Sequence, residues 1–385
     1  MIIQGKAPET GRAFSVVVEG ESVSRMEPIE KGAPHDSHGP PLYLCGGFFD
    51  PQVNGFAGVD FNGKDLTSER VHAAARSLAS YGVTRFLPTI ITASHDRIAR
   101  QLRILTDALE ESHLFRRMCS GIHLEGPYIS PEDGPRGAHP REFVRLPRWE
   151  EIERLQDMCN GRIRCITLAP ELEGSLDFIE RAVRNGMVVG IGHTNAPEQV
   201  LEDAFRAGAR LSSHLGNGAL SILPRHRNPI QKQLSMDGLM ASIIVDGIHL
   251  PDYVVQNFVR AKGVGQILLT TDSMAGAGAP PGRYTLGDLE VEAGPGDRSA
   301  RLSGTPYLAG STLTMDRAVS NVIRFANVDL PTAIQMAAQN GKQLFPEVEG
   351  KIIPGSPANI VLFEYAEELV IQSTWIHGEK IEGRG

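Results

Sequence analysis

Between residues 46 and 345 one pattern recurs: a short apolar run ends in polar or ionisable residues, and an amphipathic segment follows it. The runs are "GGFFD", "TRFLPTII", "SGIHLEG", "RCITLAPE", "MVVGIGHT", "RLSSHLGN", "MASIIVDGIH" and "ILLTTDS". Between them lie helical patterns such as "SERVHAAARSLASYG", "HDRIARQLRILTDALEES", "SLDFIERAVRNG" and "APEQVLEDAFRAGA". Gly82, Gly186 and Gly208 stand where helices are expected to end, since glycine takes the left-handed conformation that closes a helix. Strands that alternate with helices must pair in parallel, because a parallel pair needs a crossover. Eight such units predict a (β/α)8 TIM-like barrel.

The two ends read differently. Residues 13–28, "AFSVVVEGESVSRMEP", alternate at period two around a glycine, and so do "GKIIPGSPANIVLFE" and "LVIQSTWIHGEKI" near the C-terminus. These are predicted to pair into a small β-sandwich domain made of residues 1–45 and 347–385, beside a barrel of residues 46–346. The stretch "PPGRYTLGDLEVEAGPGDRSARLSGTPYLAGS" reads as a β-hairpin insertion near 281–310, after the eighth strand.

Composition removes some functions. The formal charge of −8 argues against a nucleic-acid partner, although a site within such a surface can still be locally basic. No apolar run approaches the roughly 18 residues of a spanning helix, so no membrane partner is expected. Cys45, Cys119, Cys159 and Cys165 show no C-x-x-C spacing, and the N-terminus lacks a signal-peptide pattern. Reduced thiols and a cytoplasmic location are expected.

A barrel of this type places its active site at the C-terminal ends of its strands. Those ends carry His123 and Glu125 in "HLEG", His193 in "GHTN", His214 in "SSHLGN", His249 in "DGIH" and Asp272 in "TTDS". Each has an ordinary alternative. Asp272 reads equally as a helix N-cap, His249 as a loop histidine, His193 as a core histidine and Glu125 as a turn residue. Together, at the ends of successive predicted strands, they read as a hydrolytic site. Glu125, His193 and His214 supply a zinc-type ion with three ligands and leave a position for water. Asp272 is then placed to move a proton, and His249 to polarise a carbonyl oxygen.

At these residues the chain resembles the amidohydrolase superfamily and, within it, the N-acetylglucosamine-6-phosphate deacetylases. The resemblance rests on "FFDPQVNG", "HLEGPYISPEDGPRGAHP", "LAPE", "GHTNA", "SSHLGNGA", "DGIH", "TTDSM" and "LAGSTLTM", in the family's order. It implies hydrolysis of the N-acetyl group of N-acetyl-D-glucosamine 6-phosphate, or of a close amino-sugar phosphate, to the amine and acetate. It implies metal ligation by Glu125, His193 and His214, with Asp272 as general acid/base and His249 on the carbonyl side. His139, Asn217, Gly218 and Arg225 match sugar and phosphate contacts, and Ala309 and Gly310 match a loop beside the acetyl group. Some members carry His-x-His on the first strand and hold two metals. Gln52 and Asn54 stand at that position here, which implies one divalent ion per subunit, zinc first, with iron, cobalt or manganese also suited to such ligands. The resemblance further implies a homodimer in which Arg225 reaches the neighbouring subunit's site.

Two departures bear on the substrate. The family has Asn-Ala-Met after His-Leu-x, whereas this chain reads "HLGNGA", with Gly216 and Gly218. The loop between Glu125 and His139 is also longer by about two residues than in common members. Two other readings stay open: an amidohydrolase acting on a non-phosphorylated N-acyl or cyclic amide, and a catalytically dead homologue serving as an assembly module.

Overall fold

The computed structural model describes residues 1–29, 40–294, 299–305 and 307–384. Eight parallel strands form the barrel: Phe48–Val53, Val83–Ile91, Ile122–Glu125, Ile163–Leu168, Val188–Ile191, Leu211–Ser212, Met240–Ile243 and Ile267–Leu269. Each pairs with the next in chain order. All eight predicted runs are thus strands, and their polar tails run out beyond the last ladder bonds. Helices cover the outside. Along His95–Glu111 the buried positions Ile98, Leu102, Leu105 and Leu109 recur at the helical period, so one face packs inward and the opposite face stays wet. None of the helices is long and apolar enough to cross a membrane, among the described residues.

Closure of the barrel depends on one buried carboxylate. Asp50, on the first strand, has no solvent exposure. Its Oδ1 accepts from the hydroxyl of Thr270 (3.1 Å) and the backbone N–H groups of Thr271 (3.2 Å) and Gln52 (3.3 Å). Its Oδ2 accepts from the Thr271 hydroxyl at 2.5 Å. Beyond this clasp a parallel bridge joins Val53 to Ser273, and Asn54 donates its N–H to the Ser273 carbonyl at 2.8 Å. The first and last strands are therefore tied at the mouth.

Inside the barrel the side chains lie in layers. At the bottom Phe49, Leu87, Cys165, Leu211, Met240 and Leu268 pack with Phe345 into an apolar plug. Above them Thr89, His123, Thr167 and Ser213 make a polar layer. His123 Nε2 lies 2.7 Å from the Thr167 hydroxyl, which lies 2.6 Å from that of Ser213. Glu125 is two residues further along the strand from His123, so it shares the inward face one layer higher.

The strands of the two termini pair with each other. Ile2–Lys6, Ala13–Glu19, Ser22–Pro28 and Leu42–Gly46 join Ile360–Tyr365, Leu369–Ile376 and Glu379–Glu382 in one seven-stranded sheet. The two halves are stitched by antiparallel pairing of Leu42–Gly46 with Ile360–Tyr365. One face forms its own cluster around Val16, Val18, Val23, Leu44, Ile360 and Trp375. Val361, Phe363, Ile371 and Ile376 instead belong to the barrel's core. The insertion after the eighth strand is richer than a hairpin: Gly282–Leu286, Leu289–Ala293, Ser299–Leu302 and Leu308–Ser311 form a four-stranded antiparallel sheet. Residues 295–298 and 306 of it lie outside the described residues. Its last strand bridges Ser273 through Ser311, which carries Ala309 and Gly310 to the barrel mouth.

The clasp predicts the effect of removing it. Asp50→Ala leaves buried donors on Thr271 and Gln52 without a partner, so stability should fall by roughly 2–4 kcal/mol. Urea unfolding of the variant checks this; a midpoint equal to the wild type's would show that the barrel closes without the clasp.

Candidate active site and metal centre

The strand ends converge on a cleft lined by Asn54, Glu125, His139, His193, His214, Asn217, Gly218, His249, Asp272, Ala309 and Gly310, with Ile91, Leu286, Leu289 and Leu308 as an apolar wall. Three of the residues that define it, His193, His214 and Asp272, have left-handed backbones, with φ of +50°, +31° and +48°. Such conformations cost of order 1–3 kcal/mol each and persist only where their surroundings hold them. Here Ser130 donates to the carbonyl of His193 (3.0 Å), Asn217 to that of His214 (2.9 Å) and Ser311 to that of Asp272 (2.9 Å). Glu171 adds a further tie, accepting from the Thr194 hydroxyl and from the Asn195 N–H at 2.8 Å, directly after His193.

Glu125, His193 and His214 bring one ligand atom each within 4.8 Å of one another, all buried. Oε1 of Glu125 is 3.1 Å from Nε2 of His193 and 2.8 Å from Nε2 of His214. The protons show what this arrangement wants. Nδ1 of His193 sits 2.8 Å from the Pro135 carbonyl, which can only accept, so Nδ1 carries the hydrogen. In the neutral ring Nε2 then presents a lone pair to a carboxylate oxygen, which also presents one. Two lone pairs at that distance require a cation between them or a second proton on the ring. A backbone carbonyl behind a ligating imidazole is the usual means of fixing the metal-binding tautomer. The donor set therefore fits a divalent ion. The electrostatics agree. Burial works against the Glu125 charge, but hydrogen bonds from His193 and His214, when those rings carry the second proton, and the charges of His193 and His139 outweigh it and hold the carboxyl well below its usual range.

Asp272 faces the same cluster. Burial, followed by the charge of Glu125, pushes its carboxyl up, opposed by His214, His249 and Asn54. One of its oxygens is committed. Oδ1 accepts from Nε2 of Gln52 (2.9 Å) and from Nδ2 of Asn54 (2.7 Å). Gln52 Nε2 also donates to Oε1 of Glu125 at 2.9 Å. The Gln-x-Asn pair thus presents N–H groups to carboxylates, where imidazoles would present lone pairs to a second metal.

The other expected residues divide. His139 is buried in the cleft, its Nδ1 2.9 Å from the Thr92 hydroxyl, its ring edge-on to His193 at 4.4 Å. Burial, and then the neighbouring His193, pull its pKa down to about 3. Asn217, Gly218, Ala309 and Gly310 line the cleft. Arg225 does not: it is exposed on the loop after Asn217, outside its own chain's cleft. His123, which the strand pattern offers beside Glu125, lies in the polar layer below. Reading the sequence also misses Asp246. It is fully buried and accepts from Nδ1 of His249 at 2.6 Å; the i, i+3 spacing in "DGIH" was the available signal.

No family model matches the chain. It is 32% identical over 339 residues to an N-acetylglucosamine-6-phosphate deacetylase of Lysinibacillus sphaericus, covering 86% of this chain and 84% of that protein. It is 32% identical over 338 residues to an N-acetylgalactosamine-6-phosphate deacetylase of Escherichia coli O157:H7, covering 87% of each. Among solved structures, an N-acetyl-D-glucosamine-6-phosphate deacetylase of Mycobacterium smegmatis superposes with a TM-score of 0.88 at 26% identity over 99% of both chains. That protein is an aspartate-to-alanine mutant in complex with N-acetyl-D-glucosamine-6-phosphate.

If the buried cluster holds a divalent ion, metal binding is coupled to folding. At free metal 100 times Kd the native state should gain about 2.7 kcal/mol. Thermal unfolding with added Zn²⁺ and with a chelator measures this. The gain should vanish in Glu125→Gln; an equal gain in that variant would place the ion elsewhere.

Proposed function

This chain belongs to the N-acetylglucosamine-6-phosphate deacetylase family, and we propose that it hydrolyses the N-acetyl group of N-acetyl-D-glucosamine 6-phosphate to the free amine and acetate. The observation that carries this reading is Asp272, held by one oxygen with no hydrogen-bond partner on the other among the described residues, beside a buried Glu–His–His cluster on an open cleft. All five residues of the expected hydrolytic set line that cleft. A dead assembly module has no use for such a set, particularly at three strained backbone positions.

One divalent ion per subunit, zinc foremost, would be held by Glu125, His193 and His214, and the chemistry it would supply there is a water of lowered pKa and polarisation of the acyl oxygen. A second ion lacks ligands, because Gln52 and Asn54 turn N–H groups towards the carboxylates. Asp272 takes a proton from the attacking water through its free oxygen as the O–C bond forms. It returns that proton to the nitrogen as the C–N bond breaks. His249 donates to the carbonyl oxygen as negative charge builds there. His139, Asn217 and Gly218 face the sugar, and Ala309 and Gly310 face the acetyl group.

The "HLGNGA" departure has a local explanation. Gly218 has φ of +57°, and a Cβ there would lie 2.8 Å from Nδ1 of His193. Gly216 has φ of +93°, against Leu250 and Phe258. Both glycines serve the path of the loop around a metal-ligand histidine, so the departure does not by itself demand another ligand. The equal identity to an N-acetylgalactosamine-6-phosphate deacetylase supports the galacto epimer as a second reading.

A homodimer completes the phosphate site. Arg225 is exposed, and Ile222 on the same loop is 87% exposed. An apolar side chain and a guanidinium projecting together suit a contact in which Arg225 reaches the partner's cleft. Arginine's planar fork grips a phosphate through two parallel bonds.

Two predictions follow from these roles. Asp272→Asn should keep its metal and lose about 10²- to 10⁴-fold in kcat; near-normal turnover in an acetate-release assay would end its assignment. Arg225→Ala should raise KM for the 6-phosphorylated sugar at least roughly tenfold, equivalent to about 1.5–3 kcal/mol for a charge-assisted contact. The non-phosphorylated sugar should be barely affected. Assaying the gluco and galacto epimers, each with and without phosphate, tests the substrate as well. A wild type indifferent to phosphate would sink the sugar-phosphate reading.

A further inference from the structure

Asp246 lies three residues beyond the barrel's seventh strand and is wholly buried. Its Oδ1 accepts the backbone N–H groups of Ile248 and His249, both at 2.8 Å. Its Oδ2 accepts Nδ1 of His249 at 2.6 Å. The first pair of bonds is what a tight turn requires of any Asp or Asn. The bond to the ring is not needed by the turn. The turn itself is anchored: Asn321, on the helix Met315–Ala326, donates to the Val245 carbonyl at 2.8 Å. Gly247 has φ of +79°, and a Cβ there would lie 3.1 Å from Phe325.

A carboxylate only accepts, so the hydrogen between the two groups belongs to Nδ1. That settles the orientation of the ring. Nε2 is the nitrogen left for the cleft, which His249 lines, and it has no partner among the described residues. With Nδ1 already carrying a hydrogen, Nε2 donates only from a ring protonated on both nitrogens, and such a ring is positively charged. The buried carboxylate behind it is then the countercharge. We propose that Asp246 is a positioning residue: it holds His249 through Nδ1–H, turns Nε2 to the cleft, and balances the charge of the ring while Nε2 donates to the acyl oxygen of the substrate. The part that concerns the acyl oxygen rests on the deacetylase reading; the part that concerns the ring does not. The logic is that of any imidazole whose tautomer is set by a carboxylate behind it.

The isosteric variant Asp246→Asn separates this from a merely structural role. In the variant the two backbone N–H groups select the amide oxygen, so the turn survives and the amide NH₂ faces Nδ1. Nδ1 becomes an acceptor and the ring's single proton moves to Nε2, so Nε2 donates from a neutral ring and the positive charge that the carboxylate balanced is lost. In zinc-loaded protein labelled with ¹⁵N-histidine, wild-type His249 should show a protonated, hydrogen-bonded Nδ1, and the variant an unprotonated one. Steady-state acetate release should show kcat reduced at least about tenfold, with KM and metal content little changed. In a His249→Gln background the same substitution should cost less than about twofold, because Asp246 would act only through the ring. The proposal is overturned if wild-type Nδ1 is unprotonated, if Asp246→Asn keeps kcat within twofold, or if the loss is equally large without His249. A wild type that releases no acetate from any of the sugars would instead refute the deacetylase reading, and the nitrogen spectra would still decide the state of the ring.

Discussion

The join between the first and eighth strands is the constraint on which the rest of the cleft depends. Gln52 and Asn54 approach from one side of it and Asp272 from the other, and their hydrogen bonds cross it. These bonds form only if the two strand ends are held at a fixed distance and register. The backbone ladder supplies little there: one isolated bridge and the bonds from Asn54 and Gly55 to the Ser273 carbonyl. Asp50 supplies the remainder from below, with both oxygens committed to Thr270 and Thr271. Burial pushes its carboxyl up to about 7, while the donors around it pull the other way. The clasp is therefore a buried polar network in which every member is partnered, the condition under which such networks specify one geometry.

Upward from that join the cleft is assembled by layers of different character. The apolar plug around Phe49 and Phe345 makes the barrel a packed core. The polar layer of His123, Thr167 and Ser213 separates the plug from the charged layer above and places hydrogen-bonding groups beneath Glu125. Burial pulls the pKa of His123 down to about 4, as suits a neutral ring acting as a structural relay. In the top layer the polypeptide leaves each strand sharply. At His193, His214 and Asp272 the turn is made in the left-handed region by the candidate site residue itself. A side chain that leaves the strand at such a point projects over the barrel axis, and neighbouring backbone donors hold its carbonyl.

The sequence shows the repeating architecture because each strand is buried on both faces and so reads as a continuous apolar run. Even Leu211–Ser212, with a ladder of only two residues, is visible through its tail, "RLSSHLGN". The hydrolytic set is legible for the same reason: chemistry at strand ends interrupts apolar runs at predictable places. The groups that hold the set are harder to see. Asp50 reads as the end of a strand, and only closure of the barrel brings Thr270 and Thr271 to it. Glu171 belongs to the turn after another strand, and its bond to Asn195 is a contact between loops. Asp246 is three residues from the histidine it serves, a spacing that marks any turn. The insertion looked like one hairpin because its later strands, Ser299–Leu302 and Leu308–Ser311, are short and follow glycines and a proline. Their pairing is fixed by Ser311 meeting Ser273, a long-range contact.

The first-strand amides give the cleft its chemical asymmetry. An imidazole at either position would turn a lone pair inward and could share a metal with Glu125 and Asp272. A carboxylate bound in that way gives an oxygen to the ion. Gln52 and Asn54 turn N–H groups inward instead, and both reach the same oxygen of Asp272. The carboxylate is held through that oxygen, and the other has no hydrogen-bond partner among the described residues. Burial and the charge of Glu125 raise the Asp272 carboxyl, and the hydrogen bond from Asn54 works against them. On the proposed function, the two amides thus fix one oxygen of Asp272 while the other is the one that moves the proton.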